Sequence, residues 1–197
     1  DTLSEYSNII IENVDILDAD VMADISKYFG EDSEVVVVSN LPYYITTPII
    51  FKFLEQTNVK KFIFMVQKEV GKRLTGKPKT KDYNALSVLM EYKTNSSIFA
   101  NVSRNSFFPE PNVDSVLIKI ETKKNDYGLN NEANFVKFIQ ACFSQRRKTL
   151  VNNLAGVYSL KKEDIATLLV ENGYSASVRA EELTLDQIVF LYKSLFE

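Results

Sequence analysis

Four consecutive valines, Val35 to Val38, run straight into Ser39-Asn40-Leu41-Pro42-Tyr43-Tyr44, and no other stretch limits the fold so tightly. A run of β-branched residues reads as a buried strand, of the kind found in parallel sheets covered on both faces. The strand must stop before Pro42, which has no amide hydrogen to give to a ladder. Asn40, Pro42, Tyr43 and Tyr44 are not ordinary turn filler. Polar and aromatic groups at the carboxyl end of a parallel strand lie where open α/β sheets bind their ligands.

The flanking segments extend this pattern. "NIIIENVDILDAD" (8–20) reads as a short strand ending near Asp15, followed by a loop. "TTPIIFKFLEQ" reads as a helix with Thr47 as cap and Pro48 at the first helical position. "VKKFIFMVQ" (59–67) is another buried strand, and a helix from about Lys68 to Thr75 stops near Gly76. "ALSVLMEYK" reads as helix, and "SSIFANVS" and "DSVLIKIET" as a pair of strands on either side of the long loop "RNSFFPEPNV". Alternating strands and helices predict a largely parallel sheet. After "TKKNDYGLNNE" the pattern becomes all helical. Phe135, Phe138, Ile139, Cys142, Phe143 and Leu150 follow one amphipathic stripe, and a second helix runs from about Leu160 to Glu171. Thr184 and Gln187 form a capping box for a last helix carrying Ile188, Leu191 and Leu195.

Composition excludes several chemistries. The 197 residues contain no histidine, so there is no Ser-His-Asp machinery, no Cys-His pair and no imidazole-based metal site. The single Cys142 excludes an intramolecular disulfide and makes a reducing, cytoplasmic setting the default; its place in an apolar stripe reads as packing. No apolar run reaches the roughly 18 residues of a membrane span. The net charge of −3 argues against a uniformly basic surface, yet "KEVGKRLTGKPKTK" (68–81) has Glu69 as its one acid and "RRK" follows at 146–148. Such local patches engage phosphate even on an acidic protein.

Asn40-Leu41-Pro42-Tyr43 offers a side-chain carbonyl, peptide carbonyls and an aromatic face. Together these suit an exocyclic amino group on a planar ring: two carbonyl oxygens accept its hydrogens while the aromatic ring stacks on the base. An amine held this way presents its lone pair for an in-line methyl transfer and needs no general base, because the nitrogen becomes acidic as it is alkylated. The other reading of the same residues is a proline turn that merely packs.

"NLPYYITTPII" resembles the N-L-P-Y motif of the ribosomal RNA adenine N6,N6-dimethyltransferases, the KsgA family. "MVQKEVGKRLTGKPKTKDYNALSVLMEY" (65–92), "SFFPEPNVDSVLIKI" (106–120), "FSQRRKTLVNNL" (143–154) and "RAEELTLDQIVFLY" (179–192) resemble further family segments in the same order. The resemblance implies a Rossmann-like class I methyltransferase sheet over residues 1–125, with its N-terminal strands missing from this chain, then a small all-helical rRNA-binding domain over 126–197. It implies S-adenosylmethionine as cofactor, small-subunit rRNA as partner, no metal, and a monomer.

The resemblance also implies roles. Asn40, Leu41, Pro42 and Tyr43 would form the target-adenine pocket, with Asn40 and the Leu41 or Pro42 carbonyl gripping N6, and Phe107 stacking on the other face of the flipped base. Asp15, with Ile16 and Asn40, would contact the cofactor. Lys72, Arg73, Lys77, Lys79, Arg146, Arg147 and Lys148, with Lys81, would meet the rRNA backbone. Asn84 stands where the family usually has glycine. The glycine-rich cofactor loop of the family has no counterpart, since the six glycines are scattered singly. Two alternatives stand beside the small-subunit enzyme: the related large-subunit macrolide-resistance methyltransferase, and a non-catalytic factor that binds immature subunits.

Overall fold

A computed structural model describes residues 3, 5–30, 33–54, 59–124 and 126–197. Four strands form one sheet in the order β1 (Val35–Asn40), β2 (Val59–Gln67), β4 (Ser115–Thr122), β3 (Thr94–Val102). Only β1 and β2 run parallel; β4 is antiparallel to both β2 and β3. The sheet is therefore mixed rather than largely parallel. A loop without a crossover helix joins β3 to β4, and a strand that returns by such a loop must come back antiparallel.

The ends of β1 and the segment before it also differ from expectation. Residues 8–15 form no strand, and Ile9, Ile10, Ile11 and Val14 are exposed. Val35 and Val37 of β1 pack on the core, whereas Val36 and Val38 are 49% and 70% exposed. A β-branched run gives a segment the capacity to pair and to be covered on both faces, but the cover comes from elsewhere in the chain. Among the described residues it is present on one face of β1 alone.

Before β1 lies α1 (Val21–Phe29), and between the strands lie α2 (Thr46–Leu54), α3 (Lys68–Leu74) and α4 (Ala85–Lys93). Asp20 caps α1 by accepting from the Ala23 amide at 3.0 Å. Helix α2 begins at Thr46, one residue before the expected cap, so Pro48 is its third residue rather than its first. The missing amide still costs nothing there, because the first four helical N–H groups have no partner inside the helix. The Glu55–Gln56 end expected for this helix lies outside the described residues. Helix α3 lies close on β4: a Cβ built on Gly71 would stand 2.4 Å from a Val116 methyl. Asn84 accepts from the Leu86 amide at 2.8 Å and forms a capping box with Ser87, so this asparagine starts α4.

The remaining chain forms α5 (Glu132–Cys142), α6 (Leu150–Tyr158), α7 (Lys162–Glu171) and α8 (Leu185–Phe196). The stripe from Phe135 to Leu150 is two helices, not one. Thr149 accepts from the Asn152 amide at 3.3 Å and starts α6. The buried Asn153 donates its amide to the Cys142 carbonyl at 2.7 Å and to the Gln145 carbonyl at 3.3 Å, closing the end of α5. The Thr184–Gln187 capping box of α8 is as expected. Two apolar cores result, one under the sheet and one among α5 to α8. They meet on α4, which gives Met90 to the first and Val88, Leu89 and Tyr92 to the second.

Candidate active site and nucleic-acid interface

The site begins where β1 ends. Asn40 is exposed and in register with Met65 of β2, and the Leu41 amide donates to the Met65 carbonyl at 3.1 Å, pinning the chain for one residue beyond the strand. The Leu41 side chain is buried in the sheet core, which fixes the backbone of the turn. The two carbonyls of the turn are then unequal. Pro42 accepts from the Ile45 amide at 3.2 Å and from the Thr46 hydroxyl at 3.0 Å. Both of its lone pairs are occupied. The Leu41 carbonyl accepts nothing from a described residue, and so it is the free acceptor beside the Asn40 side chain.

Tyr43 is half-buried, and its hydroxyl lies 2.8 Å from that of Ser115, the first residue of β4 and fully buried. Sequence reasoning missed Ser115, which lies 72 positions away. The same strand end roots the "RNSFFPEPNV" loop. Asp114 accepts from the Arg104 amide at 3.2 Å through Oδ1, and its Oδ2 lies 3.5 Å from Lys68 Nζ. The Lys68 amide donates to the Asp114 carbonyl at 3.0 Å. The Arg104 amide, acting first, and the Lys68 ammonium hold the Asp114 carboxyl below its usual range. Arg104 also pairs with Glu110 at 2.9 Å, closing the loop around Phe107 and Phe108. Phe107 is half-buried after a short 3₁₀ turn, while Phe108 stands in solvent.

The expected cofactor residues lie on the turn before α1. Asp15 Oδ1 accepts from the Leu17 amide at 2.8 Å, and the Asp15 carbonyl accepts from Asp18 and Ala19. Lys52 of α2 holds this turn through the Leu17 carbonyl at 2.7 Å, and Ile16 packs on the sheet core. Asp15 is exposed and its Oδ2 accepts nothing from a described residue, so one carboxylate oxygen is open to an outside donor.

The basic residues separate into four places. Lys72, Arg73 and Arg146 line one cleft of about 840 Å³, joined there by Lys68, Lys81 and Arg104. Lys77 lines a different hollow with Thr75 and Glu91. Lys79 is tied by its amide to the Glu181 carbonyl at 2.8 Å. Arg147 and Lys148 are exposed on the turn between α5 and α6 and form no ion pair among the described residues. Arg146 differs from these two neighbours. It meets Glu181 at 3.2 Å and the Lys81 carbonyl at 2.6 Å, so it braces the 77–83 loop against the last helices. Cys142 is buried, burial pushes its thiol pKa far up, and it is packing rather than a nucleophile. Among the described residues there is no metal-binding cluster, and no helix is long and apolar enough to cross a membrane.

Comparison with known proteins places this geometry. Residues 1–195 match the family model described as ribosomal RNA adenine dimethylase. The chain is 42% identical over 200 residues to the ribosomal RNA small subunit methyltransferase A of Bacillus mycoides, covering 99% of this chain and 68% of that protein. It is 41% identical over 176 residues to the protein of the same name in Phytoplasma australiense, covering 88% of this chain and 62% of that one. Among solved structures, a dimethyladenosine transferase from Plasmodium falciparum superposes with a TM-score of 0.67 at 23% identity, over 81% of this chain and 66% of that one. The 23S rRNA methyltransferase ErmE superposes with a TM-score of 0.70 at 21% identity, over 100% of this chain and 75% of that one. These two likenesses bear on the fold alone.

Proposed function

The chain belongs to the ribosomal RNA adenine dimethylase family, and on that premise we propose that Asn40 and Leu41 hold N6 of an adenine in small-subunit rRNA for two successive methylations. The supporting observation is the inequality of the two carbonyls after β1. Pro42 spends its carbonyl on Ile45 and Thr46, which leaves the Asn40 side-chain oxygen and the Leu41 carbonyl to accept the two N6 hydrogens. Both acceptors favour a pyramidal nitrogen with its lone pair free. Tyr43, hooked to Ser115, offers one ring face to the base, and Phe107 the other. Holding a base between two rings requires it to leave its stack, as enzymes that act on bases do.

S-adenosylmethionine, when bound, supplies the electrophilic methyl group. Asp15 is the residue of this chain that would hold it, through its adenine amine, with Ile16 and Asn40 alongside. No described residue acts as a base: the N6 proton goes to solvent from a nitrogen made acidic by alkylation. Residues 126–197 form the rRNA-binding part, with Arg147 and Lys148 meeting phosphate from the α5–α6 turn, and the basic cleft by α3 serves the same strand. Its counterions are released on binding, which makes affinity fall with salt.

The test is methyl transfer from labelled S-adenosylmethionine to unmethylated small subunits, by this chain and by a version extended to the length of its relatives. Products are read as N6,N6-dimethyladenine by mass spectrometry. The expected result is dimethyladenine formation that Asn40→Ala lowers by roughly a hundredfold or more, as when one polar group at a reacting centre is removed, with subunit binding kept. Near-normal turnover in Asn40→Ala overturns the pocket.

A further inference from the structure

Tyr44 and Phe108 stand out in water on segments closed by their own hydrogen bonds and an ion pair. Tyr44 is 86% exposed, and Phe108 exposes all of its surface, at 103%. Neither ring contacts another aromatic ring among the described residues. Tyr44 sits in the turn closed by Ile45 and Thr46 on the Pro42 carbonyl. Phe108 sits at the tip of a loop that Arg104 closes through Glu110 at 2.9 Å, and whose base Asp114 holds by the Arg104 amide. Both segments stand on one foothold, because Tyr43 bonds to Ser115 and Asp114 precedes Ser115 in the chain. An apolar ring kept in solvent by a braced loop loses the burial that would otherwise stabilise it.

We propose that Tyr44 and Phe108 are stacking platforms for the unpaired nucleotides on either side of the target adenine. This rests on the reading of Asn40–Tyr43 as an adenine pocket in RNA. When one base is turned into the pocket, its two neighbours each lose a stacking face. A rigid exposed ring next to the pocket replaces it, and stacking tolerates any base because every base has a π face. Charge points to nucleic acid rather than to a protein partner: Arg104 at the loop base lines the same cleft as Lys68, Lys72, Arg73, Lys81 and Arg146, and these cations outnumber the acids there, Glu69, Asp82 and Asp114. Aromatic rings beside a basic groove form the arrangement that single-stranded nucleic acid requires.

The test uses the full chain and a hairpin RNA of the small-subunit type, with 2-aminopurine on either side of the target adenine. Binding is titrated at several salt concentrations for the wild type, Tyr44→Ala, Phe108→Ala, Tyr44→Phe and Phe108→Trp. Each alanine variant is expected to weaken binding about fivefold to a hundredfold, with the slope of log affinity against log salt unchanged, because every bond to phosphate remains. The 2-aminopurine signal is expected to change on binding the wild type and the aromatic variants, and to stay that of free RNA at one flank in each alanine variant. Wild-type affinity and fluorescence in both alanine variants overturn the inference. A reduced salt slope overturns it as well, by assigning the rings to phosphate positioning. No RNA binding by the wild type itself overturns the adenine-pocket reading along with it.

Discussion

The Tyr43 hydroxyl lies 2.8 Å from the Ser115 hydroxyl and thereby ties the turn after β1 to the first residue of β4, the central antiparallel strand. Ser115 is fully buried and flanked by Gln67 of β2 and Val102 of β3 in the ladder, so it is a fixed point. The bond fixes the angle of the Tyr43 ring, the ring that the proposed function sets against the target base. Tyr43→Phe should keep the ring, leave RNA binding near normal and lower the rate of methyl transfer by roughly tenfold, since small misplacements at a reacting centre cost rate before affinity. Ser115→Ala should do the same, and the double variant no worse than either alone, because both remove one bond. Additive losses would show that the two residues act separately.

Arg146, Arg147 and Lys148 look equivalent in the sequence, but the structure assigns them different tasks. Arg146 is engaged with Glu181 and the Lys81 carbonyl, while Arg147 and Lys148 are free on the turn among the described residues. Reversing the charge of Arg147 and Lys148 should weaken subunit binding and reduce the salt slope by about one unit for each phosphate that is no longer neutralised, with the unfolding midpoint unchanged. Arg146→Glu should lower the unfolding midpoint as well, since it sets two acids against each other at the 77–83 loop. Equal thermal stability for all three variants would contradict this division.

How far the sequence reaches depends on how local the cause is. The span of β2, the span of α4 and the capping box of α8 were legible because each is decided by residues within a few positions of one another. That Ile9–Ile11 pair with no strand among the described residues, that Val36 and Val38 are exposed, and that β4 runs antiparallel were not, because these depend on other parts of the chain. The site divides in the same way. Asn40 and the turn after it could be read from their residue types, but Pro42 loses its carbonyl to Thr46 only once α2 has folded. Tyr43 finds Ser115, and Arg146 finds Glu181, across the whole fold. Nor could the spacing of Phe107 and Phe108 say which ring packs and which stays in water, a choice made by the Arg104–Glu110 closure.

Asn153 is the buried residue on which the α5–α6 turn depends. Its amide donates to the carbonyls of Cys142 and Gln145, at 2.7 and 3.3 Å. Removing it leaves the Cys142 carbonyl without a donor, while the Gln145 carbonyl keeps the Lys148 amide at 3.0 Å, and it leaves a small void; together these cost about 2–3 kcal/mol. Asn153→Ala should therefore lower the urea midpoint without changing the slope of the transition, and lower Tm by about 5–10 °C for a chain of this size. Asn153→Asp, close to it in volume, should be no better, because a carboxylate would face two carbonyl oxygens. RNA binding should fall with both, since the same turn carries Arg147 and Lys148. A Tm within a degree or so of the wild type would show that water replaces the amide.

Asp114 makes the anchoring of the aromatic loop sensitive to acid. Its carboxyl is held below the usual carboxylate range, first by the Arg104 amide and then by Lys68 at 3.5 Å. A carboxyl with a depressed value in the folded state binds a proton more readily when unfolded, so folding is favoured above the unfolded value. That contribution is lost as the pH falls through the folded value. The window therefore lies at and below about pH 4, where a free aspartate begins to take up its proton. Asp114→Asn keeps the shape of the side chain but removes the charge. It should be less stable than the wild type at neutral pH, and the difference should shrink as the pH falls below about 4. Urea midpoints of both proteins, measured across that range, check the sign: a difference that stays constant or widens in acid would mean that Asp114 contributes through packing and not through its charge. Methyl transfer by Asp114→Asn should also fall at neutral pH, because the loop holding Phe107 would lose the carboxylate that fixes Arg104.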